Sequence, residues 1–214
     1  MLTRPHTASS AAPSPRSARD PTTRLPCRYF RFLRRSPSMS EYSANDDDGV
    51  NQLIWLQERG DTCGPACVYM IERNRAQASL VGGEVRVRQI TEMLPNGYSE
   101  GNGTADYSAL AAVLNTVGIR AEARFVGNIS AFVAAAPFPF IARVGWSGGG
   151  GHFVVCTKTT GYGNMVALDP WYGLIQPPVS GLPSYPVRSD ARQGISRRIP
   201  IMGSLSGHMI ILTS

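Results

Sequence analysis

The chain contains no run of about 18 apolar residues, the length a membrane-crossing helix needs. Its longest candidate, residues 132–144, is broken by Pro137 and Pro139. Near the N-terminus there is no apolar core of roughly 7–15 residues, so a secretory signal is not expected. Cysteine is scarce: Cys27, Cys63, Cys67 and Cys156 are too few for a disulfide framework in a domain of this size. Cys63 and Cys67 share one helix face and are poorly placed to bridge each other. These absences point to a reduced, cytoplasmic protein. Acid is scarce at one end, where residues 1–38 hold eight Arg against Asp20 alone. The remaining residues carry 13 basic and 14 acidic side chains, so the net charge of +6 belongs to the tail. A near-neutral body does not suggest a nucleic-acid groove. No internal repeat is visible.

What remains divides into two parts. Residues 1–45 form a tail rich in Arg, Ser and Pro, too poor in apolar residues to offset chain entropy, and read as disordered. The same composition fits an organelle transit peptide, and Met39 is an alternative start. Residues 46–214 form the domain, and the overall hydrophobic content of 43% supports a core.

Within the domain, Gln57-Glu58-Arg59-Gly60-Asp61-Thr62-Cys63 leads directly into Gly64-Pro65-Ala66-Cys67. Pro suits the first turn of a helix, where a missing N–H costs nothing. Cys67, Met70 and Ile71 then give a buried stripe at helical spacing. A thiol opening a helix feels the positive end of the dipole, which favours thiolate. Its N–H and the Gln57 amide, six residues upstream, are candidate donors to an oxyanion. Cys67 reads as core packing.

Downstream, Gly151-His152-Phe153-Val154-Val155-Cys156 reads as a strand with a histidine at its mouth. Leu168-Asp169-Pro170-Trp171 closes a second apolar run. A hairpin between the two brings Asp169 beside His152, where a carboxylate fixes the orientation of the imidazole. Of the three histidines, His6 lies in the tail. His208 imitates the context of His152, but too few residues follow it to supply an orienting acid. Asp190 and Asp106 are weaker candidates than Asp169 for the orienting acid, and Gln52 is a poor substitute for Gln57. Asp-Pro is also a common turn opener. Cys156 shares a strand face with His152 and reads as core. Trp171 and Tyr172 are candidates for a cleft wall. The Gly148–Gly151 run lacks the following Lys-Ser/Thr of a phosphate loop.

Cys, His and Asp in chain order, with an upstream Gln, resemble the layout of papain-like cysteine peptidases. Over roughly residues 50 to 176, the D-T-C-G-P-A-C string and the G-H-F-V-V…D-P pair resemble the bacteriocin-processing (double-glycine) peptidases and their stand-alone bacterial relatives. The resemblance implies a helical lobe carrying the Cys against an antiparallel sheet carrying His and Asp. It also implies a peptide or protein substrate, no cofactor or metal, and cleavage after small residues such as Gly-Gly. The transporter domain that accompanies leader-processing members is not in this sequence, so leader processing is not implied. The same groups serve acyl transfer to an amine, and a catalytically silent peptide-binding domain is another class. A zinc site from Cys63, Cys67, His152 and Cys156 has no standard spacing. Oligomeric state is not legible.

Expected helices cover Cys63 to Asn74, Val87 to Leu94, a segment capped by Thr104 and ended at Gly118, and a short one capped by Asn128. Expected strands cover 119–126, 138–144, 151–156, 165–168, 173–176 and 209–212. Helices early and strands late predict an α+β fold.

Overall fold

A computed structural model describes residues 41–76, 82–147, 149–186 and 202–213. Cys27, Met39 and Asp190 lie outside the described residues, as does the expected tail up to residue 40. The last part of that tail is corrected. Glu41–Asn45 is a strand, β1, paired antiparallel with β2, Asn51–Trp55. The acidic run Asp46-Asp47-Asp48 makes the hairpin turn, because Asp46 Oδ1 accepts the N–H groups of Asp48 and Val50 at 3.0 and 2.9 Å. Short polar side chains commonly nucleate turns in this way.

Helix α1, Cys63–Ala76, starts at the expected residue, with Pro65 in the turn that needs no donor. Cys67, Met70 and Ile71 are buried. Helix α2 spans Gly83–Glu92 and starts four residues before Val87. The early turn holds Glu84, a fully buried carboxyl that apolar periodicity does not register. A two-residue hairpin follows, β3 (Tyr98–Ser99) with β4 (Gly103–Thr104). Thr104 is therefore a strand residue, and Asp106 caps α3, Tyr107–Thr116, by accepting the Ser108 N–H at 2.8 Å. Strand β5 is Ala121–Phe125. Asn128 caps α4, Ile129–Ala135, as expected, by accepting the Ala131 N–H.

The second half supplies β6 (Phe140–Trp146), β7 (Gly151–Thr159), β8 (Met165–Asp169), β9 (Gly173–Ile175), β10 (Ser184–Pro186) and β11 (Met202–Leu212). They form a seven-stranded antiparallel sheet in the order β10-β11-β6-β7-β8-β9, with β5 also on β11. Strand β11 is far longer than its apolar end, 209–212, suggests. Gly207, at φ 81°, lies in an irregularity between Leu205 and Met209 that interrupts the period of two. Both faces of the sheet are covered. Ile141, Val155, Val166, Leu168 and Ile210 pack with α1, α2 and α3. Phe140, Ala142, Val154, Cys156 and Met209 form a second core with α4 and Tyr185. Double burial explains why β8 reads as an unbroken apolar run ending in Asp169. The architecture is α+β.

Candidate active site

Cys63 is the first residue of α1 and is nearly buried. Thr62 takes the preceding position, and its carbonyl accepts the first helical bond, from Ala66 N at 2.9 Å. The N–H groups of the first turn, that of Cys63 included, have no partner within the helix and form a positively biased edge.

His152 lies near the start of β7 and Asp169 ends β8, which pairs with it. The hairpin expected from sequence thus brings them together: His152 Nε2 is 2.8 Å from Asp169 Oδ1. Nδ1 is the ring nitrogen left to face Cys63, whose sulfur lies near enough to favour the charged imidazole. Burial pulls the imidazole towards its neutral form. The charge and hydrogen bond of Asp169, joined by Cys63, outweigh burial and push the pKa of His152 up to about 10. The ring therefore carries a proton at neutral pH.

Asp169 is wholly buried and heavily hydrogen-bonded. Oδ1 also accepts the N–H groups of Trp171 and Tyr172 at 2.7 and 2.9 Å, and Oδ2 accepts the Tyr185 hydroxyl at 2.9 Å. The Asp-Pro turn is thus both a turn and a carboxylate cradle. Trp146 stacks on the His152 ring with centroids 5.6 Å apart, and Tyr172 meets it edge-on at 6.4 Å. Of the two expected wall residues, Tyr172 touches the imidazole with its ring and Trp171 supplies a backbone donor to Asp169.

Gln57 follows β2. Its backbone N–H donates to Pro170 O at 2.8 Å, and Nε2 donates to the Arg59 carbonyl. A primary amide carries two N–H donors, so one remains for a ligand. Oε1 is buried and has no hydrogen-bond partner among the described residues.

The weaker candidates are placed elsewhere. Gln52 donates to Asp46 Oδ2, and Asp106 is the α3 cap. His208 lies beside Ser206 Oγ, edge-on to Tyr107 and Phe125. Cys67 belongs to the helical core and Cys156 to the opposite one. Burial raises both thiols well above the ordinary range, which keeps them protonated. No cluster of three or more His, Cys, Asp or Glu suited to a metal occurs among the described residues.

Three contributors are not legible in the sequence. Trp146 follows the apolar part of β6 without a distinguishing spacing. Tyr185 stands among prolines, in a stretch with no period. Glu84 resembles an exposed acid opening a helix, yet it holds the loop that leads to Cys63. Its carboxyl accepts from Trp55 Nε1 at 2.8 Å and from Glu58 N at 3.1 Å. Burial, only partly offset by those bonds, pushes its pKa up to about 7.

Comparison with known proteins decides the family. Residues 52–178 match the peptidase C39 family. The chain belongs to the peptidase C39 family. It is a cysteine peptidase. Among solved structures it is similar to a double glycine motif protease from an AMS/PCAT transporter in complex with the leader peptide. That likeness has 17% identity and a TM-score of 0.50, over 74% of this chain and 89% of the other, and it shows the papain-like fold. The peptidase domain of Streptococcus ComA, a bi-functional ABC transporter of a quorum sensing pathway, matches at 12% identity and a TM-score of 0.49. It covers 74% of this chain and 95% of that one. No curated protein matches. No helix among the described residues is long and apolar enough to cross a membrane.

Proposed function

We propose that this C39-family chain hydrolyses peptide bonds through Cys63, with His152, Asp169 and Gln57 as its partners. Cys63 Sγ attacks the scissile carbonyl carbon. His152 holds the proton taken from Cys63 and delivers it to the leaving amine, then takes one from the water that hydrolyses the thioester. Asp169 keeps Nε2 occupied, so that Nδ1 faces the sulfur. The Cys63 N–H and the spare Gln57 amide proton receive the oxyanion. One observation carries this reading: a buried imidazole held between a fourfold hydrogen-bonded carboxylate and a thiol at a helix N-terminus.

The substrate class follows from kinship. The similar double glycine motif protease is held in complex with its leader peptide, and we extend peptide cleavage after a Gly-Gly pair to this chain. The test has two parts. In a Cys27→Ser background, iodoacetamide at neutral pH adds one mass increment to the folded protein, on Cys63, because Cys67 and Cys156 are fully buried and protonated. Internally quenched peptides containing Gly-Gly are cleaved by wild type and not by Cys63→Ala. Equal labelling of Cys63 and Cys67, or turnover by Cys63→Ala, would contradict the assignment.

A further inference from the structure

We propose that the cavity between the start of α3 and strands β6 and β11 is a substrate subsite that takes a carboxylate of the peptide, with Arg143 as its recognition residue. The proposal rests on the peptidase reading above and adds a specificity to it.

The cavity measures about 260 Å³ and is lined by Ala105, Asp106, Tyr107, Arg143 and His208. Water occupies about 30 Å³ per molecule in the liquid, so the space holds a side chain as well as solvent. Its two walls adjoin the two halves of the candidate active site. Ala105 follows Thr104, whose Oγ1 sits 2.6 Å from where a Cβ on Gly64 would lie, and Gly64 is the residue after Cys63. On the other wall, the Arg143 guanidinium lies against Gly151, the residue before His152. A Cβ on Gly151 would come within 2.6 Å of Nη2 and 2.9 Å of Cζ, so glycine there leaves the guanidinium its place. A peptide crossing Cys63 and His152 has this cavity beside it.

Charge selects the ligand. Among the described residues Arg143 has no carboxylate within ion-pair distance. Asp106 lines the same space, but its Oδ1 is engaged by the Ser108 N–H at the α3 N-terminus, where the helix dipole complements its charge. The His208 ring has Nδ1 near Ser206 Oγ at 3.1 Å, and Tyr107 meets it edge-on. Asp106 keeps its charge but lies beyond ion-pair distance of Arg143, so the space holds a half-buried guanidinium with no ion-pair partner among the described residues and the Tyr107 ring in the same lining. A planar fork of donors matches a carboxylate better than any neutral group, and such bonds are stronger than neutral ones. An Asp or Glu side chain flanking the scissile bond, or a free C-terminus near it, has the required chemistry.

The experiment uses the full chain and a set of internally quenched Gly-Gly peptides in which Asp, Asn or Lys is walked through the positions on either side of the cleavage point. At one position Asp should raise kcat/KM about tenfold over Asn, as expected for one charge-assisted bond. In Arg143→Gln that preference should vanish, while cleavage of the Asn peptides stays within about threefold of wild type. A parallel arm needs no turnover: fluorescein-labelled versions of the same peptides are titrated onto Cys63→Ala, with and without Arg143→Gln. The Asp peptide should bind about tenfold more tightly than the Asn peptide only when Arg143 is present. A preference for Asp that survives Arg143→Gln, or no preference at any position in either arm, overturns the subsite. Absence of cleavage with an Arg143-dependent preference in the binding arm instead overturns hydrolysis and keeps the subsite.

Discussion

The Gln57 backbone N–H donates to Pro170 O at 2.8 Å. Gln57 leaves the strand that precedes the thiol, and Pro170 follows the acid that holds the histidine. One backbone bond therefore ties the two halves of the site, which enter the sequence more than a hundred residues apart. Two further bonds reinforce each side. Glu84 takes the Glu58 N–H immediately after Gln57, and Asp169 takes the Trp171 N–H immediately after Pro170. The donor loop and the acid turn are set by backbone geometry, which mutation of neighbouring surface side chains leaves in place.

Histidine is the first group to test. His152→Ala should abolish peptide turnover, and His208→Ala should retain it, since His208 has no carboxylate partner among the described residues and lines only the neighbouring cavity. Steady-state kinetics on the same quenched peptide checks both. An active His152→Ala enzyme beside an inactive His208→Ala enzyme would exchange their roles.

Stability should fall as pH rises from about 4.5 to 10, with two separable causes. Burial pushes the Glu84 carboxyl up from its ordinary 4.5 to about 7, so the native state holds its proton more tightly than the unfolded state. Its contribution is complete below pH 4.5 and is lost as pH rises through 7, amounting to on the order of 3 kcal/mol. Glu84→Gln mimics the protonated carboxyl and should flatten that part of the profile. His152, raised from 6.5 to about 10, contributes with the same sign over a higher window. Its share is complete below pH 6.5 and vanishes as pH passes 10, so His152→Ala should flatten the upper part. Urea unfolding at a series of pH values measures both. A stability that climbs between pH 5 and 7 would be incompatible with a neutral buried Glu84.

The reach of the sequence follows from which features are local. Cys63, Pro65 and the apolar stripe fix α1 because each signal sits within one or two turns. His152 and Asp169 were legible because a hairpin relates them, and hairpin pairing turns sequence distance into spatial distance. The tail boundary, the first turn of α2 and the length of β11 were not legible. In each case a tertiary partner decides: β2 pairs with residues 41–45, Trp55 and Glu58 bond to Glu84, and β6 supports β11 across its irregularity. Thr104 reads as a helix cap because Thr suits that position. It loses the role because β3 pairs with it and Asp106 has the shorter route to the helix N–H groups. Tyr185 reaches Asp169 from a strand that pairs with β11, and nothing in its neighbours' spacing announces that pairing.

The oxyanion assignment has a direct kinetic test. Gln57→Ala should lower kcat by about 10²–10³ while leaving KM little changed, because a donor aimed at the developing oxyanion acts in the transition state and not on the ground-state amide. Gln57→Glu should be as damaging, since a carboxylate offers no donor. Wild-type kcat in Gln57→Ala would remove Gln57 from the site and leave the Cys63 N–H as the remaining proposed donor.

Tyr185 offers the most specific test of how the imidazole is held. Its hydroxyl is buried and donates to Asp169 Oδ2 at 2.9 Å, and burial together with the Asp169 charge keeps the phenol protonated far above its usual range. Tyr185→Phe keeps the ring in the second core and removes one proton donor. Asp169 then retains His152, Trp171 and Tyr172 on Oδ1, but Oδ2 loses the only hydrogen bond recorded for it among the described residues. An unsatisfied buried acceptor costs about 1–3 kcal/mol, which a urea titration resolves. The carboxylate is then free to turn Oδ2 towards the ring, so the effect should reach kcat as well, by about threefold to thirtyfold, with KM unchanged. His152 would lose part of its orientation, and its alkaline limb in kcat/KM, set near pH 10 by Asp169 and Cys63, should move. A stability loss with an unchanged kcat and an unmoved alkaline limb would make Tyr185 a packing residue alone.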